Sequence, residues 1–150
     1  MALKSNASLA EVLKSASVFL EERGFDGSLA QSYWLRVFDW TLTDLVKQTP
    51  NQEVYETFQE VLERLVRHEP LQYILGYEDF DGRRFKVTPA VLIPREDTAG
   101  ILDLAASWLE KHPEASQALD LGTGSGILAI SLALRYPQLQ LTAGDLKKMA

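Results

Sequence analysis

The sequence predicts an α/β chain in which helices come first and strands follow. Three observations carry this expectation. Capping signals punctuate amphipathic runs through the first half, an Asp-Gly hairpin signal follows Gly76, and a strand, glycine loop, helix, strand succession begins near Ala118. Residues 1–75 therefore read as a helical bundle, 76–95 as a β-hairpin and extended connector, and 96–150 as the first part of a parallel, doubly wound sheet. The length of 150 residues suits one domain or two small ones.

The helical elements follow from their first residues. Ser8 with Glu11 forms a capping box ahead of Leu9, Val12, Leu13, Ala16, Phe19 and Leu20, which share one helical face, and Gly24 terminates the run. Ser28 with Gln31 predicts a second helix holding Leu29, Tyr33, Trp34, Val37 and Phe38, and Thr41 with Asp44 a short third. Thr49, followed by Pro50 at the first helical position and by Gln52, predicts a long fourth helix. That helix buries Val54, Phe58, Val61, Leu62, Leu65 and Val66 and keeps Glu53, Glu56, Glu60, Glu63, Arg64 and Arg67 in water. A bundle of this size has a modest core.

The pattern changes after Gly76. Phe80 to Val87 sets an Asp81-Gly82 turn between short alternating segments, and Pro89 and Pro94 keep Val91-Leu92-Ile93 extended. Asp97 or Thr98 can cap a helix carrying Ile101, Leu102, Leu104, Ala105, Trp108 and Leu109, which stops near Pro113. Strand 118–121, helix 127–136 and strand 139–143 complete the chain.

Composition narrows the function classes. Of the residues 46% are hydrophobic and 24% charged, and 15 Lys and Arg against 21 Asp and Glu leave a net charge of −6. Without basic clusters the chain lacks the electrostatic footprint of direct nucleic-acid binding, and no apolar run is long enough for a transmembrane helix. The absence of cysteine removes disulfides, thiol nucleophiles and thiolate metal sites, and His68 and His112 stand far apart, so no metal site is expected. Charged residues from Lys4 to Glu22 interrupt any secretory or transit-peptide pattern, which makes the cytoplasm the expected compartment.

The sharpest chemical feature is Asp120-Leu121-Gly122-Thr123-Gly124-Ser125-Gly126 between a strand and a helix. Glycines there let the backbone turn and approach a ligand, and the helix N-terminus offers free amides to an anionic group. Ile127 stands where a dinucleotide fingerprint needs its third glycine, and no Gly-Lys-Ser/Thr follows for a Walker loop. The spacing is similar to motif I of the Rossmann-like S-adenosylmethionine methyltransferases. Asp145, at the end of the second strand, is placed to accept from both ribose hydroxyls. The candidate cofactor residues are therefore Asp120, Gly122, Thr123, Gly124, Ser125, Gly126 and Asp145. Asp120 suits two compatible roles, a strand-end acceptor of loop amides and a ligand contact. Arg95 reads first as a pin to Glu96, Asp97 or a neighbour, and second as a partner for a ligand or substrate carboxylate. Trp34, Trp40 and Trp108 read as core, and His68 as a cap on the carbonyl end of the long helix.

Pro70-Leu71-Gln72-Tyr73-Ile74-Leu75-Gly76, Phe80 with Gly82, Phe85 and Val87, Val91-Leu92-Ile93-Pro94-Arg95, and Asp120 to Gly126 together closely resemble the release-factor glutamine methyltransferases, the HemK or PrmC family. The resemblance covers essentially the whole chain, and its middle block is the specific part. It implies a cytoplasmic enzyme that moves a methyl group from S-adenosyl-L-methionine to the glutamine side chain of the Gly-Gly-Gln motif in class I peptide release factors. It further implies a helical N-terminal domain and a hairpin link that help hold the release factor ahead of a Rossmann-like methyltransferase domain.

Two departures qualify the match. Glu96-Asp97-Thr98-Ala99 replaces the Pro-Glu-Thr-Glu that commonly follows Ile-Pro-Arg, and the family's Asn-Pro-Pro-Tyr motif, which orients the substrate amide, would fall beyond Ala150. No catalytic residue is therefore assigned. The expectation is the N-terminal half of a methyltransferase with a truncated sheet, inactive alone, whose uncovered apolar faces are stabilised by self-association or other packing. The related ribosomal-protein glutamine methyltransferases fit the connector less well. A noncatalytic translation-factor-binding module is the alternative from another class, and Ile127 weakens a nicotinamide-dependent oxidoreductase.

Overall fold

The computed structural model describes residues 7–146; Lys4 and the chain end at Ala150 lie outside them. The chain divides into two compact units, with the boundary between Leu75 and Gly76. The order of elements is helical first, then mixed α and β, as the sequence predicts.

The first unit contains α1 (Leu9–Glu21), α2 (Ser28–Val37), α3 (Leu42–Lys47), α4 (Gln52–Val66) and α5 (Leu71–Leu75). The capping box of α1 forms as read, with the Ser8 amide donating to Glu11 Oε2 at 2.8 Å and the Glu11 amide to Ser8 Oγ at 3.3 Å. That of α3 closes through Asp44 Oδ2, which accepts from the Thr41 amide and hydroxyl at 2.8 and 2.7 Å. Two starts differ from expectation. Asn51, not Thr49, caps α4, because its Oδ1 reaches the Val54 amide at 3.0 Å and leaves Pro50 outside the helix. Ser28 is the first residue of α2 and not its cap; Gly27 holds the cap position, and the Ser28 amide donates to Asp26 Oδ1, two residues earlier, at 2.8 Å.

Helix ends are closed by backbone geometry. After α1, the Phe25 amide returns to the Leu20 carbonyl and the Gly24 amide to that of Glu21, both at 3.0 Å. The same pattern closes α4, where the His68 and Glu69 amides donate to Leu65 and Arg64 and His68 adopts φ 65°. His68 thus terminates its helix by its main chain, while its ring packs 5.0 Å from that of Phe25. Arg64 holds Glu69 through Nε and Nη2 at 2.7 and 2.6 Å across this turn. The short α5, inside the Pro70–Gly76 block, was not separable by periodicity.

Aromatic rings organise the core. Trp34 and Phe58 are fully buried, their centroids 5.2 Å apart, and Tyr33 stacks on Phe58 at 5.4 Å. Trp40, on the link between α2 and α3, stacks on Trp34 and Phe38. Tyr55, absent from the expected core set, is also buried, and its hydroxyl and Trp34 Nε1 find no partner among the described residues. Val37 and Phe38 remain exposed.

The second unit begins with an antiparallel hairpin, β1 (Tyr77–Phe80) and β2 (Arg83–Lys86). Its turn residues Asp81 and Gly82 have φ of 49° and 69°, the pair of left-handed conformations that a two-residue hairpin turn needs and that Asp-Gly adopts most readily. Next come α6 (Asp97–Lys111), β3 (Gln117–Leu121), α7 (Ile127–Arg135) and β4 (Gln140–Gly144), with β3 and β4 parallel. Neither Asp97 nor Thr98 caps α6. Both lie within its first turn, which starts after Glu96 on backbone bonds from Thr98 to Arg95 and from Ala99 to Glu96. Only Leu102 of the expected α6 stripe is buried; Ile101, Leu104 and Trp108 are exposed, which corrects the core assignment of Trp108. Its indole lies parallel to the His112 ring at 4.0 Å, and His112 Nδ1 meets the Trp108 carbonyl at 2.8 Å. The side-chain contact to a helix's carbonyl end is thus made by His112. Leu119 and Leu121 on β3 and Leu134 on α7 are exposed as well.

Among the described residues no helix is long and apolar enough to cross a membrane, and no group of His, Asp and Glu is arranged to hold a metal ion.

Two measurements test this account of the helical unit. Replacing Phe58 by Ala removes a buried ring from the aromatic cluster and is expected to cost about 3–5 kcal/mol in urea unfolding. Replacing Tyr55 by Phe deletes a buried, unpartnered hydroxyl and is expected to be neutral or to stabilise by about 1 kcal/mol. The second test is acid. Hydrogen bonds from Thr41 to Asp44, from Arg64 to Glu69 and from Ser28 to Asp26 each hold a carboxyl below its ordinary pKa. A depressed folded pKa stabilises above the unfolded value, about 4, and that contribution disappears as pH falls through the folded value. Melting temperature followed by circular dichroism should therefore decline below about pH 4.

Candidate functional site

β3 delivers Asp120 to the edge of the glycine loop, and β4 ends one residue before Asp145. Because the strands are parallel and Leu121 pairs with Gly144, both lead out at the same end of the sheet. The Gly144 carbonyl accepts from the amides of Gly122 at 2.8 Å and Thr123 at 3.1 Å, so the loop is anchored to the neighbouring strand.

Further bonds fix the loop's shape. The Thr123 hydroxyl donates to Asp120 Oδ2 at 2.7 Å, and the Gly124 amide donates to Asp145 Oδ2 at 2.8 Å. Asp120 thus fills its strand-end role, with a hydroxyl in place of the expected loop amide as donor. The Gly126 amide closes back on the Thr123 carbonyl at 2.8 Å. Gly126 itself precedes α7 with φ 80°, the left-handed conformation that favours glycine, and a Cβ there would stand 3.1 Å from Ile130 Cδ1, a tight contact that the Ile130 side chain would have to shift to relieve. Ser125 is buried, Asp120 half-buried and Asp145 exposed.

This arrangement leaves a defined donor set. Among the described residues the Ile127, Leu128 and Ala129 amides at the start of α7 take no loop carbonyl, as expected for the first turn of a helix, and they follow directly on the glycines. An anionic group is favoured there, and the exposed Asp145 carboxylate is suited to hydroxyl or ammonium donors. All seven residues singled out in the sequence are thereby brought into one loop and two strand ends.

Two further residues fall differently. Val91 of the connector packs beside the loop, its Cβ 4.0 Å from the position a Cβ on Gly124 would take. Nothing local in the sequence signals that contact. Arg95 is exposed, and its guanidinium has no ion-pair partner among the described residues, so it does not pin the connector to Glu96 or Asp97.

Comparison with known proteins agrees with this architecture. Residues 11–76 match the family model described as the PrmC N-terminal domain. A release factor glutamine methyltransferase of Bacteroides thetaiotaomicron is 45% identical over 92 residues, 61% of this chain and 32% of that protein. Proteins of the same name match 91% of this chain in Staphylococcus aureus, at 34% identity over 49% of their own length, and in Bacillus cereus, at 36% over 50%. The chain spans about half, or less, of the curated relatives it matches. Residues 11–76 are thus similar to the PrmC N-terminal domain, and the chain as a whole is similar to release factor glutamine methyltransferases over about half of their length.

Proposed function

We propose that these residues form the cofactor-binding half of an S-adenosyl-L-methionine-dependent methyltransferase acting in the cytoplasm on the Gly-Gly-Gln glutamine of class I peptide release factors. The observation that carries the reading is the 2.8 Å bond from the Gly124 amide to Asp145 Oδ2, which joins the glycine loop and the strand-end acid into one unit. In this reading Gly122, Thr123, Gly124, Ser125 and Gly126 bring the backbone close to the cofactor. The free amides of α7 face its carboxylate, and Asp145 accepts from the ribose hydroxyls. Asp120 keeps Thr123 in place at the strand end. The donor set fits the group, since it offers neutral amides for an anion and a carboxylate for a diol or a cation.

S-adenosylmethionine bound there supplies a methyl group on a sulfonium, an electrophile that needs no metal. An amide nitrogen is a weak nucleophile, so alignment matters more than a strong base. The part these residues play is to hold the donor in a fixed place. Residues 1–75 act as a substrate-recognition bundle, 76–95 as the hairpin connector and 96–150 as the cofactor half. The 150 residues contain no group assigned to the substrate amide, and transfer by them alone is not expected.

Titration calorimetry with S-adenosylmethionine tests the site directly. Replacing Asp145 by Ala should weaken binding about tenfold or more, roughly 1.4 kcal/mol; an unchanged affinity would remove Asp145 from the site. Incubation of the full natural chain with a class I release factor and labelled cofactor should place label on the Gly-Gly-Gln glutamine. Binding of the release factor with no affinity for the cofactor would instead favour a noncatalytic module. Replacing Gly126 by Ala imposes the φ of 80° on an L residue and should cost about 1–2 kcal/mol of stability, read as a lower melting temperature.

A further inference from the structure

Arg135 is the last residue of α7, and it reaches two other elements. Its Nη2 donates to Asp81 Oδ1 in the hairpin turn, 54 residues away in sequence, and its Nη1 lies 3.6 Å from Asp103 Oδ1 on α6. The second oxygen of Asp81 takes Arg83 Nη1 at 2.8 Å, and that same nitrogen donates to the Asp81 carbonyl at 2.9 Å. Two carboxylates and two guanidiniums therefore alternate, and their charges cancel.

An isolated exposed ion pair adds little to stability, but this cluster differs in three respects. The Asp81 side chain is only 19% exposed. A φ of 49° in a two-residue turn fixes the direction in which it leaves the backbone. One planar guanidinium addresses carboxylates from two elements, which a flexible ammonium would do with less geometric definition.

The position of Arg135 gives the cluster its meaning. α7 starts at the glycine loop and runs for nine residues, so Arg135 stands about 13 Å from the loop along a single rigid helix. We propose that Arg135 is a positioning residue that ties the hairpin turn to the helix carrying the glycine loop, so that a protein substrate gripped by the hairpin is held at a set distance from the cofactor. The inference rests on the methyltransferase reading for its substrate. Its mechanical part stands on the contacts alone: among the described residues, Arg135 is the guanidinium that joins the hairpin turn to both α6 and α7.

The test uses the protein in its full natural chain with Arg135→Met, with Asp81→Asn, which suits the turn, and with both. Each single variant is expected to raise KM for the release factor about five- to tenfold, with kcat within twofold and cofactor affinity unchanged. The double variant should be no worse than the more affected single one, because both remove the same tie. Hydrogen exchange should quicken at the β1–β2 amides and stay slow in α7. Unchanged KM with faster hairpin exchange would reduce the cluster to a structural pin and overturn the positioning role, as would additive effects in the double variant. If the wild-type protein neither binds the cofactor nor methylates a release factor, the methyltransferase reading has failed. The exchange contrast then decides the remainder, and unaltered hairpin exchange in Arg135→Met would overturn the tie itself.

Discussion

The parallel register of β3 and β4 is the constraint on which the candidate site depends. It sets Leu121 opposite Gly144, and from that one alignment the Gly144 carbonyl lies in reach of the Gly122 and Thr123 amides while Asp145 lies in reach of Gly124. A slip of one residue would turn every side chain of β4 to the opposite face and carry the Asp145 carboxylate away from the loop. Loop and acid, 21 residues apart in sequence, hold their geometry because the paired strands that lead into them do. A ligand that bridges the two then meets groups already in place, and little ordering remains to be done on binding.

What the sequence discloses follows the range of the interaction. Ser8 with Glu11 and Thr41 with Asp44 are bonds across three residues, and both form as spelled. At the other two starts several polar side chains compete within two or three positions, and spacing does not choose among them. Asn51 wins over Thr49 because its carbonyl oxygen meets the Val54 amide, and Gly27 holds the cap position ahead of Ser28 where it packs tightly on α1. A Cβ on Gly27 would fall 2.2 Å from Ser17 Oγ, a tertiary fact with no local signature. The juxtaposition of the glycine loop with Asp145 was legible because the loop is contiguous and the strand-end acid follows at one helix and one strand. The tie from Arg135 to Asp81 was not, since neither residue carries a motif.

Periodicity has a second limit, visible in α6. Apolar residues at helical spacing identify the face that would be buried, yet only Leu102 is, while Leu104 is 73% and Trp108 53% exposed. A pattern tells which side of a helix is apolar, and only the three-dimensional arrangement tells what covers it. The stacked Trp108 and His112 rings show how an uncovered aromatic side chain still finds a local partner, with the ring nitrogen of His112 on the carbonyl end of the same helix.

The two units solve the problem of stability in different ways. In the helical unit a continuous cluster around Trp34, Phe58 and Leu62 supplies non-directional burial, which tolerates unpartnered atoms such as the Tyr55 hydroxyl. In the unit from Gly76 the buried apolar set is smaller, with Phe85, Val87, Val91, Leu102 and Ile127 among its members. There, directed bonds define position: Thr123 on Asp120, Gly124 on Asp145, Arg135 on Asp81. Such bonds contribute modestly to net stability but restrict geometry sharply, since each is strong only within a narrow range of distance and angle. A loop held by bonds of this kind keeps its shape without a thick core behind it. That is the combination a ligand cradle would require, because amides and a carboxylate that were to hold a ligand must stay exposed enough for it to enter.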